Sequence, residues 1–564
     1  MNVAPGPHWA LPTSDLVALA EDRLSNNTLS LRSQGACRRV LCLAKLRCWR
    51  HGEAWGAPML MLETMIRRPV GLLTAAILIA ASGCWKDTVI GVSDKPERPA
   101  SPPRDEPRPS APKVATMFAA TLEEGVGDNN PILGDVDGDG LDDFVILTVG
   151  GGLGAAMNKA YLFYGRSDFP ARLSTGDADA MFIATSNGAV PLGDINGDGL
   201  ADFALGQSRG FEIVLGDRTR YHGDYPEYSG AIVWEPNELP DLFADDVATV
   251  SMDLRAAGDV NADGLDDLLI GAATVAPEGE EATATGGFGL RQTHYLVLGH
   301  AGPWPSGRWD PSMADAEFGT VSIAGSSQPL SAIIPYRAGD LDADGNADLI
   351  APVEGALLVF YGGDALVGKL GAERVDAELV ARHPNPATAL GDLDGDGASD
   401  LIMSDYEAQL QVIYGSRTRW SGRTTVEPEL TIQAEPSYQG ELAAAVGDID
   451  GNGAAELVIG LPSFGGDFSR EDVVLPTGAV YVLRGDGESR RRGEYRLTDR
   501  DVMVLSGPQL NPSDRSGLGN SLSIAGDVDG DGNADILAGA PYAMTSEGAF
   551  GAVYLIPSTP KAPD

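Results

Sequence analysis

One pattern of ten residues, Gly-Asp-x-Asp-x-Asp-Gly-x-x-Asp with small variations, occurs seven times in this 564-residue chain. Counting the first acid as position 1, the copies begin at Asp135, Asp194, Asp259, Asp340, Asp392, Asp448 and Asp527, at intervals of 59, 65, 81, 52, 56 and 79 residues. Glycine precedes every copy (Gly134, Gly193, Gly258, Gly339, Gly391, Gly447, Gly526) and returns at position 6 (Gly140, Gly199, Gly264, Gly345, Gly397, Gly453, Gly532). Self-similarity on this scale signals supersecondary units that bury their faces against one another.

The spacing suits a hard cation. Side chains at positions 1, 3, 5 and 9 converge once the chain turns sharply at the position-6 glycine. Position 7 adds a backbone carbonyl, and calcium accepts flexible sets of roughly six to eight oxygens. The candidate ligands are Asp135, Asp137, Asp139, Leu141 and Asp143 in the first loop, and Asp194, Asn196, Asp198, Leu200 and Asp202 in the second. The third has Asp259, Asn261, Asp263, Leu265 and Asp267, the fourth Asp340, Asp342, Asp344, Asn346 and Asp348, and the fifth Asp392, Asp394, Asp396, Ala398 and Asp400. Asp448, Asp450, Asn452, Ala454 and Glu456 form the sixth, and Asp527, Asp529, Asp531, Asn533 and Asp535 the seventh. One such loop is often a solvated acidic turn, but seven with both glycines in register point to as many as seven Ca2+ ions. An EF-hand is excluded, because position 12, where it needs a bidentate Glu, is Ile146, Leu205, Ile270, Ala351, Met403, Ile459 or Ala538.

Short apolar runs follow position 9, among them Phe144 to Leu147, Leu268 to Ile270, Leu457 to Ile459 and Ile536 to Ala538, and read as buried strands. A second β-rich run, closed by a turn residue, comes 17 to 35 residues after each first acid: AYLFYG, FEIVLG, HYLVLG, LLVFYG, LQVIYG, AVYVLRG and AVYLIP. The unit is strand, acidic loop, strand, turn, strand, turn and a fourth, outer strand. Sheets this small need neighbours on both faces, which predicts an all-β, seven-bladed β-propeller. Only a polar tail follows Ile556, whereas MFAAT (Met117 to Thr121) precedes the first loop as MFIAT (Met181 to Thr185) precedes the second. Residues 114 to 122 are therefore expected to form the outer strand of the last blade, hiding two sheet edges.

GDxDGDGxxDxxxGAP followed by GAVYxxxG resembles the FG-GAP repeat of the integrin alpha-subunit N-terminal propeller and its bacterial relatives. Copies six and seven match best; blades one and four are looser around the second strand, and no copy carries the complete Phe-Gly and Gly-Ala-Pro set. The resemblance covers residues 114 to 557 and implies calcium-dependent recognition of a protein or glycan at the cell surface. FG-GAP propellers also accompany catalytic domains, so an enzyme acting on polysaccharide or lipid stays open as an alternative, as does a scaffold in envelope assembly.

The front of the chain reads as an address. Met65 to Arg68 supply a basic start, Val70 to Ala81 a largely apolar run too short to span a bilayer, and Ser82, Gly83 and Cys84 the end. Ala81-Ser82-Gly83-Cys84 resembles the lipobox of bacterial lipoproteins, whose cysteine is diacylated, with Ala81 where Leu is usual. The expected organisation is a non-native extension over 1–64, a signal peptide over 65–83 and a lipid anchor at Cys84. An uncleaved anchor or an ordinary signal is the alternative. Trp85, where Asp would retain the protein, directs it by the same resemblance to the outer membrane. Residues 84–112, with seven prolines, read as an extended tether, 113–557 as the propeller and 558–564 as a polar tail.

Eighty-one acidic residues against 40 basic ones give a formal charge of −41, a poor partner for nucleic acid and for an acidic membrane, which the chain would meet only through its lipid. All four cysteines (Cys37, Cys42, Cys48, Cys84) lie at the front, so the repeats carry no disulfide or thiol chemistry. Later histidines are His222, His294, His300 and His383, without zinc-ligand spacing, and there is no GxSxG elbow; no catalytic residue is assigned and no enzyme is expected. His294 reads as packing. Arg484, Gly485 and Asp486 spell RGD but occupy the strand-end turn held by Gly165, Arg166 and Ser167 in the first repeat. Arg490 to Arg492 read as a solvated turn within an insertion over Glu488 to Ser516. Like Pro277 to Gln292 and Pro462 to Thr477, that insertion is where binding residues are expected. The reading is a monomeric, calcium-stabilised adhesion or binding module anchored in a bacterial cell envelope.

Overall fold

The computed structural model describes residues 60–68, 71–79 and, between 115 and 558, all but 119–123, 128, 151–157, 185–187, 208–209, 228, 236–251, 276–289, 322–330, 382–386, 405–408, 435–441, 463–477, 486–489, 498–501, 506–516, 525 and 545–549. The chain divides into Met1–Pro107 and Arg108–Asp564. In the first unit Leu60–Arg68 pairs antiparallel with Gly71–Ile79. Cys84 and the proline-rich stretch lie outside the described residues, as do most of the first two insertions. Among the described residues no helix is long and apolar enough to cross a membrane.

The second unit is an all-β propeller of seven blades. The second blade shows the plan: Ala189–Gly193, Asp202–Gln207, Gly210–Val214 and Ile232–Glu235 form a four-stranded antiparallel meander, with the acidic loop joining its first two strands. Glycine before the first acid sits at a β-bulge in four blades, where the register slips by one residue at Gly134, Gly193, Gly258 and Gly339. First strands of successive blades lie against one another around the ring. Second strands are buried on both faces, as at Phe144 to Leu147, which explains their continuous apolar runs. Fourth strands alternate instead, as in Ala180–Ile183 and Leu430–Gln433, because they face the core on one side only.

Seven apolar clusters hold the ring, one between each pair of successive blades. Phe182 of the first blade meets Phe203 of the second edge-on, with ring centroids 5.8 Å apart. The last junction joins Phe144 and Phe163 to Val528, Leu537 and Val553. Each such side chain contributes about 1.5–3 kcal/mol on burial, so the blades stabilise one another more than themselves.

Closure follows the sequence expectation. Ala115–Phe118 pairs antiparallel with Phe550–Ile556, from Ala115↔Leu555 to Phe118↔Ala552, and completes the seventh blade. Two boundaries need correction. Ser558, assigned to the tail, is buried and donates its amide to Asp535 Oδ1 at 2.8 Å. Glu488 to Ser516 is not simply an insertion, because it contains Gly493–Arg496 and the sixth blade's outer strand, Val502–Leu505.

A fifth strand, which the sequence pattern does not announce, adds to most blades. Among the described residues, the outer strand of six blades pairs in parallel with a short strand lent by the following blade: Arg172–Ser174, Gly223–Tyr225, Gly307–Arg308, Gly368–Leu370, Gly422–Thr425 and Gly493–Arg496. Two to four residues, several of them charged and exposed, are too short to show a period.

Candidate metal centre

Each acidic loop is shaped by its own side chains. Asp135 Oδ1 accepts the amides of Gly138 (2.6 Å) and Asp139 (3.2 Å), and its Oδ2 accepts that of Gly140 (2.9 Å). The position-5 side chain accepts the position-7 amide in all seven loops, at Leu141, Leu200, Leu265, Asn346, Ala398, Ala454 and Asn533. These Asx turns need left-handed backbone at position 6, where glycine stands throughout, and also at position 4. Position 4 is glycine in five copies, but Ala262 (φ 55°) and Ala343 (φ 57°) hold it in the third and fourth.

Position 9 does more than the sequence suggested. Asp143, Asp202, Asp267, Asp348, Asp400, Glu456 and Asp535 are fully buried. One oxygen accepts the position-2 amide of its own loop (Val136, Ile195, Val260, Leu341, Leu393, Ile449, Val528). The other accepts the amide that closes the third strand, from Gly165, Gly216, Gly299, Gly362, Gly415, Gly485 or Ser558. The glycine ending six of the seven AYLFYG-like runs was the available signal. It also settles the turn containing Gly485, which matches Gly165; Asp486 lies outside the described residues.

Loops are fastened to their neighbours as well. Among the described residues, the position-1 carbonyl accepts the position-8 amide of the next loop at six junctions, for example Ala201 to Asp135 and Ser399 to Asp340. Arginines add a second tie. Arg220 Nε lies 2.5 Å from Asp137 Oδ2 and its Nη2 lies 2.6 Å from Asp139 Oδ2. Arg419 bridges Asp342 and Asp344, and Arg490 bridges Asp394 and Asp396, in the same way. Arg490 and Arg492, the latter 2.9 Å from Glu429, are therefore ion-paired rather than the solvated turn expected. His294 is buried in Leu290–Val297, as expected of a packing residue.

Among the described residues, three acids converge in five of the seven loops, at positions 1, 3 and 9 in four of them and at 1, 3 and 5 in the fourth loop. Carboxylate oxygens of Asp135, Asp137 and Asp143 lie within 4.8 Å of one another, as do those of Asp340, Asp342 and Asp344, of Asp392, Asp394 and Asp400, of Asp448, Asp450 and Glu456, and of Asp527, Asp529 and Asp535. In the second and third loops Asn196 and Asn261 replace the position-3 acid and keep its bond to the position-5 amide. Burial, with the charges of Asp137 and Asp135 added, pushes Asp143 up to about 8. Asp400 also rises to about 8, and Asp202, Asp267, Asp348, Asp535 and Glu456 to about 7, burial leading in each. Asp342 Oδ1 and Asp450 Oδ1 are buried and accept no hydrogen bond. Buried acceptors of this kind ask for a cation, and the donor set, all oxygen, fits a hard one.

Residues 518–556 match the family described as FG-GAP repeat. Over that stretch the chain carries an FG-GAP repeat, and beyond it the chain is similar to integrin alpha chains. It is 29% identical to integrin alpha pat-2 of Caenorhabditis briggsae over 183 residues, 30% of this chain and 13% of that one. Integrin alpha-PS2 of Drosophila melanogaster is 30% identical over 173 residues (31% and 11%), and integrin alpha-V of Gallus gallus 27% over 259 (44% and 22%). This chain thus aligns with about a fifth or less of the length of these relatives.

Proposed function

We propose that this FG-GAP protein is a calcium-braced binding module, held at the cell envelope by a lipid on Cys84, that presents its propeller to a protein or glycan partner. The observation carrying this reading is the joining of acidic loops to blade junctions. Among the described residues, five of the loops cluster three carboxylates, and six bond to the next blade, so an ion in such a loop stiffens a blade junction. Asp and Asn side chains at positions 1, 3, 5 and 9, with the position-7 carbonyl, would hold the ion, which supplies charge neutralisation. A rigid scaffold of this kind leaves recognition to the connecting loops. Similarity to integrin alpha chains supports a binding role over catalysis.

Retention on isolated envelopes and on glycan arrays, in calcium and in chelator, tests the binding role. Saturable retention that chelator abolishes is expected. Turnover of a polysaccharide or lipid without any retained partner would instead place the protein among enzymes. Fatty-acid labelling is expected to disappear in Cys84→Ala, and persistent labelling would remove the anchor.

A further inference from the structure

The three loop-bridging arginines share one construction. Arg220, Arg419 and Arg490 each stand three residues before the glycine that opens a lent strand: Gly223, Gly422 and Gly493. Each comes from the blade after the loop it bridges. Each guanidinium lies over the tyrosine that immediately follows the third strand of the loop's own blade, 4.8 Å from the ring centroid of Tyr164, 4.7 Å from that of Tyr361 and 5.2 Å from that of Tyr414. Each tyrosine hydroxyl bonds to the main chain of the residue after the arginine: it accepts from Tyr221 and Trp420, and donates to the carbonyl of Arg491. Arg220 adopts left-handed backbone (φ 61°), a conformation that costs about 1–2 kcal/mol in a residue with a side chain.

The two-acid bridge follows loop charge; in the sixth loop Arg484 Nη1 lies 3.9 Å from Asp450 Oδ2 and, among the described residues, bridges no second acid. The first, fourth and fifth loops, which receive an arginine, carry carboxylates at positions 1, 3, 5 and 9. The second, third and sixth carry three, because Asn196, Asn261 and Asn452 replace an acid. Where Tyr164 stands in the first blade, the second and third have Leu215 and Leu298, and Trp304 and Ala365 take the arginine's place. The guanidinium needs acids at both positions 3 and 5, so it removes the fourth charge where there are four. The seventh loop is the exception: it has four acids, and the corresponding residue of the next blade is Phe169.

We propose that Arg220, Arg419 and Arg490 are built-in counter-cations that set the calcium affinity of the first, fourth and fifth loops and couple filling of each to its grip on the next blade. This rests on the calcium reading above. A fixed positive charge beside the site repels the arriving ion and at the same time relieves the carboxylates of the empty loop; both effects lower affinity. The loop at Asp527, which no arginine bridges among the described residues, fills first.

Calorimetric calcium titration with ion counting by native mass spectrometry, on wild type, Arg419→Met, Arg419→Lys and Arg423→Met, tests this. Arg423 pairs with Glu378 on a lent strand and controls for loss of a positive charge away from the loops. In Arg419→Met one site is expected to tighten about tenfold, the chelated protein to melt lower and the calcium-induced rise in Tm to grow. Arg419→Lys, which keeps the charge, and Arg423→Met are expected to titrate like wild type. An Arg419→Met titration that matches wild type or weakens, or an Arg419→Lys that shifts as far as Arg419→Met, overturns the proposal alone. A wild type indifferent to calcium overturns the calcium reading along with it.

Discussion

The amide of Asp527 donates to Asp142 Oδ2 at 2.8 Å while the amide of Asp142 donates to the Asp527 carbonyl at 2.9 Å, a reciprocal pair between residues 385 positions apart. Asn130 Nδ2 reaches Ser521 Oγ at 3.1 Å, and Ile132 N reaches Ser523 Oγ at 3.0 Å, across the same junction. The two ends of the propeller are thus joined by the acidic loops as well as by Ala115–Phe118.

Closure makes a prediction about truncation. A chain starting at residue 113 keeps the strand that pairs with Phe550–Ile556, and one starting at 123 loses it. The second is expected to melt lower and to aggregate, since a long apolar strand edge is then uncovered. Equal Tm and equal solubility of the two would remove the closure argument.

The buried staple should matter more than an exposed ligand. Asp400→Ala strands the amides of Leu393 and Gly415 inside the blade and is expected to cost about 2–4 kcal/mol even in chelator. Asp396→Ala, at position 5, gives up an exposed bond and a partner of Arg490, about 1 kcal/mol. Urea unfolding in chelator measures both; similar losses would reduce position 9 to a ligand only.

Ala262 and Ala343 carry left-handed backbone that glycine holds in the other five loops. Ala262→Gly and Ala343→Gly are each expected to stabilise the protein by about 0.5–1 kcal/mol, the relief of strain being partly offset by a freer unfolded chain. A loss of stability on either change, read by thermal unfolding, would contradict the strain.

Folded-state values raised to about 7 and about 8 at the seven position-9 acids mean that the metal-free fold holds protons the unfolded chain has released. That contribution is fully present below the ordinary carboxylate range near 4 and is lost as pH rises through 7 to 8. In chelator the Tm should therefore fall between about pH 5 and pH 8. Calcium should cancel the fall, because an ion takes the place of the protons. A Tm that climbs over this range in chelator would show that the acids are met by something else.

The repeats were legible because the loop imposes its chemistry on the sequence: glycine wherever the backbone turns left at position 6, acids where oxygens converge, apolar runs where a strand is covered on both faces. Closure was legible because MFAAT copies MFIAT. The lent strands were not, since Gly368–Leu370 and its equivalents take their place from the neighbouring blade and not from any pattern of their own. Arg490 was misread for a related reason. A three-arginine run looks solvated until the fold sets Asp394 and Asp396, nearly a hundred residues earlier, beneath it.

The central claim is that the seven loops are calcium sites on which the ring depends. Native mass spectrometry of the intact protein, paired with melting in calcium and in chelator, tests it most directly. Six or seven bound calcium ions are expected, one for each loop, the copy at Asp448 filling last because Asn452 removes a charge and Glu456 is longer than Asp. The Tm should rise at calcium concentrations of about 10⁻⁴–10⁻³ M, fall in chelator and respond much less to magnesium. Fewer than four bound ions, or one Tm in calcium and chelator alike, would contradict the account.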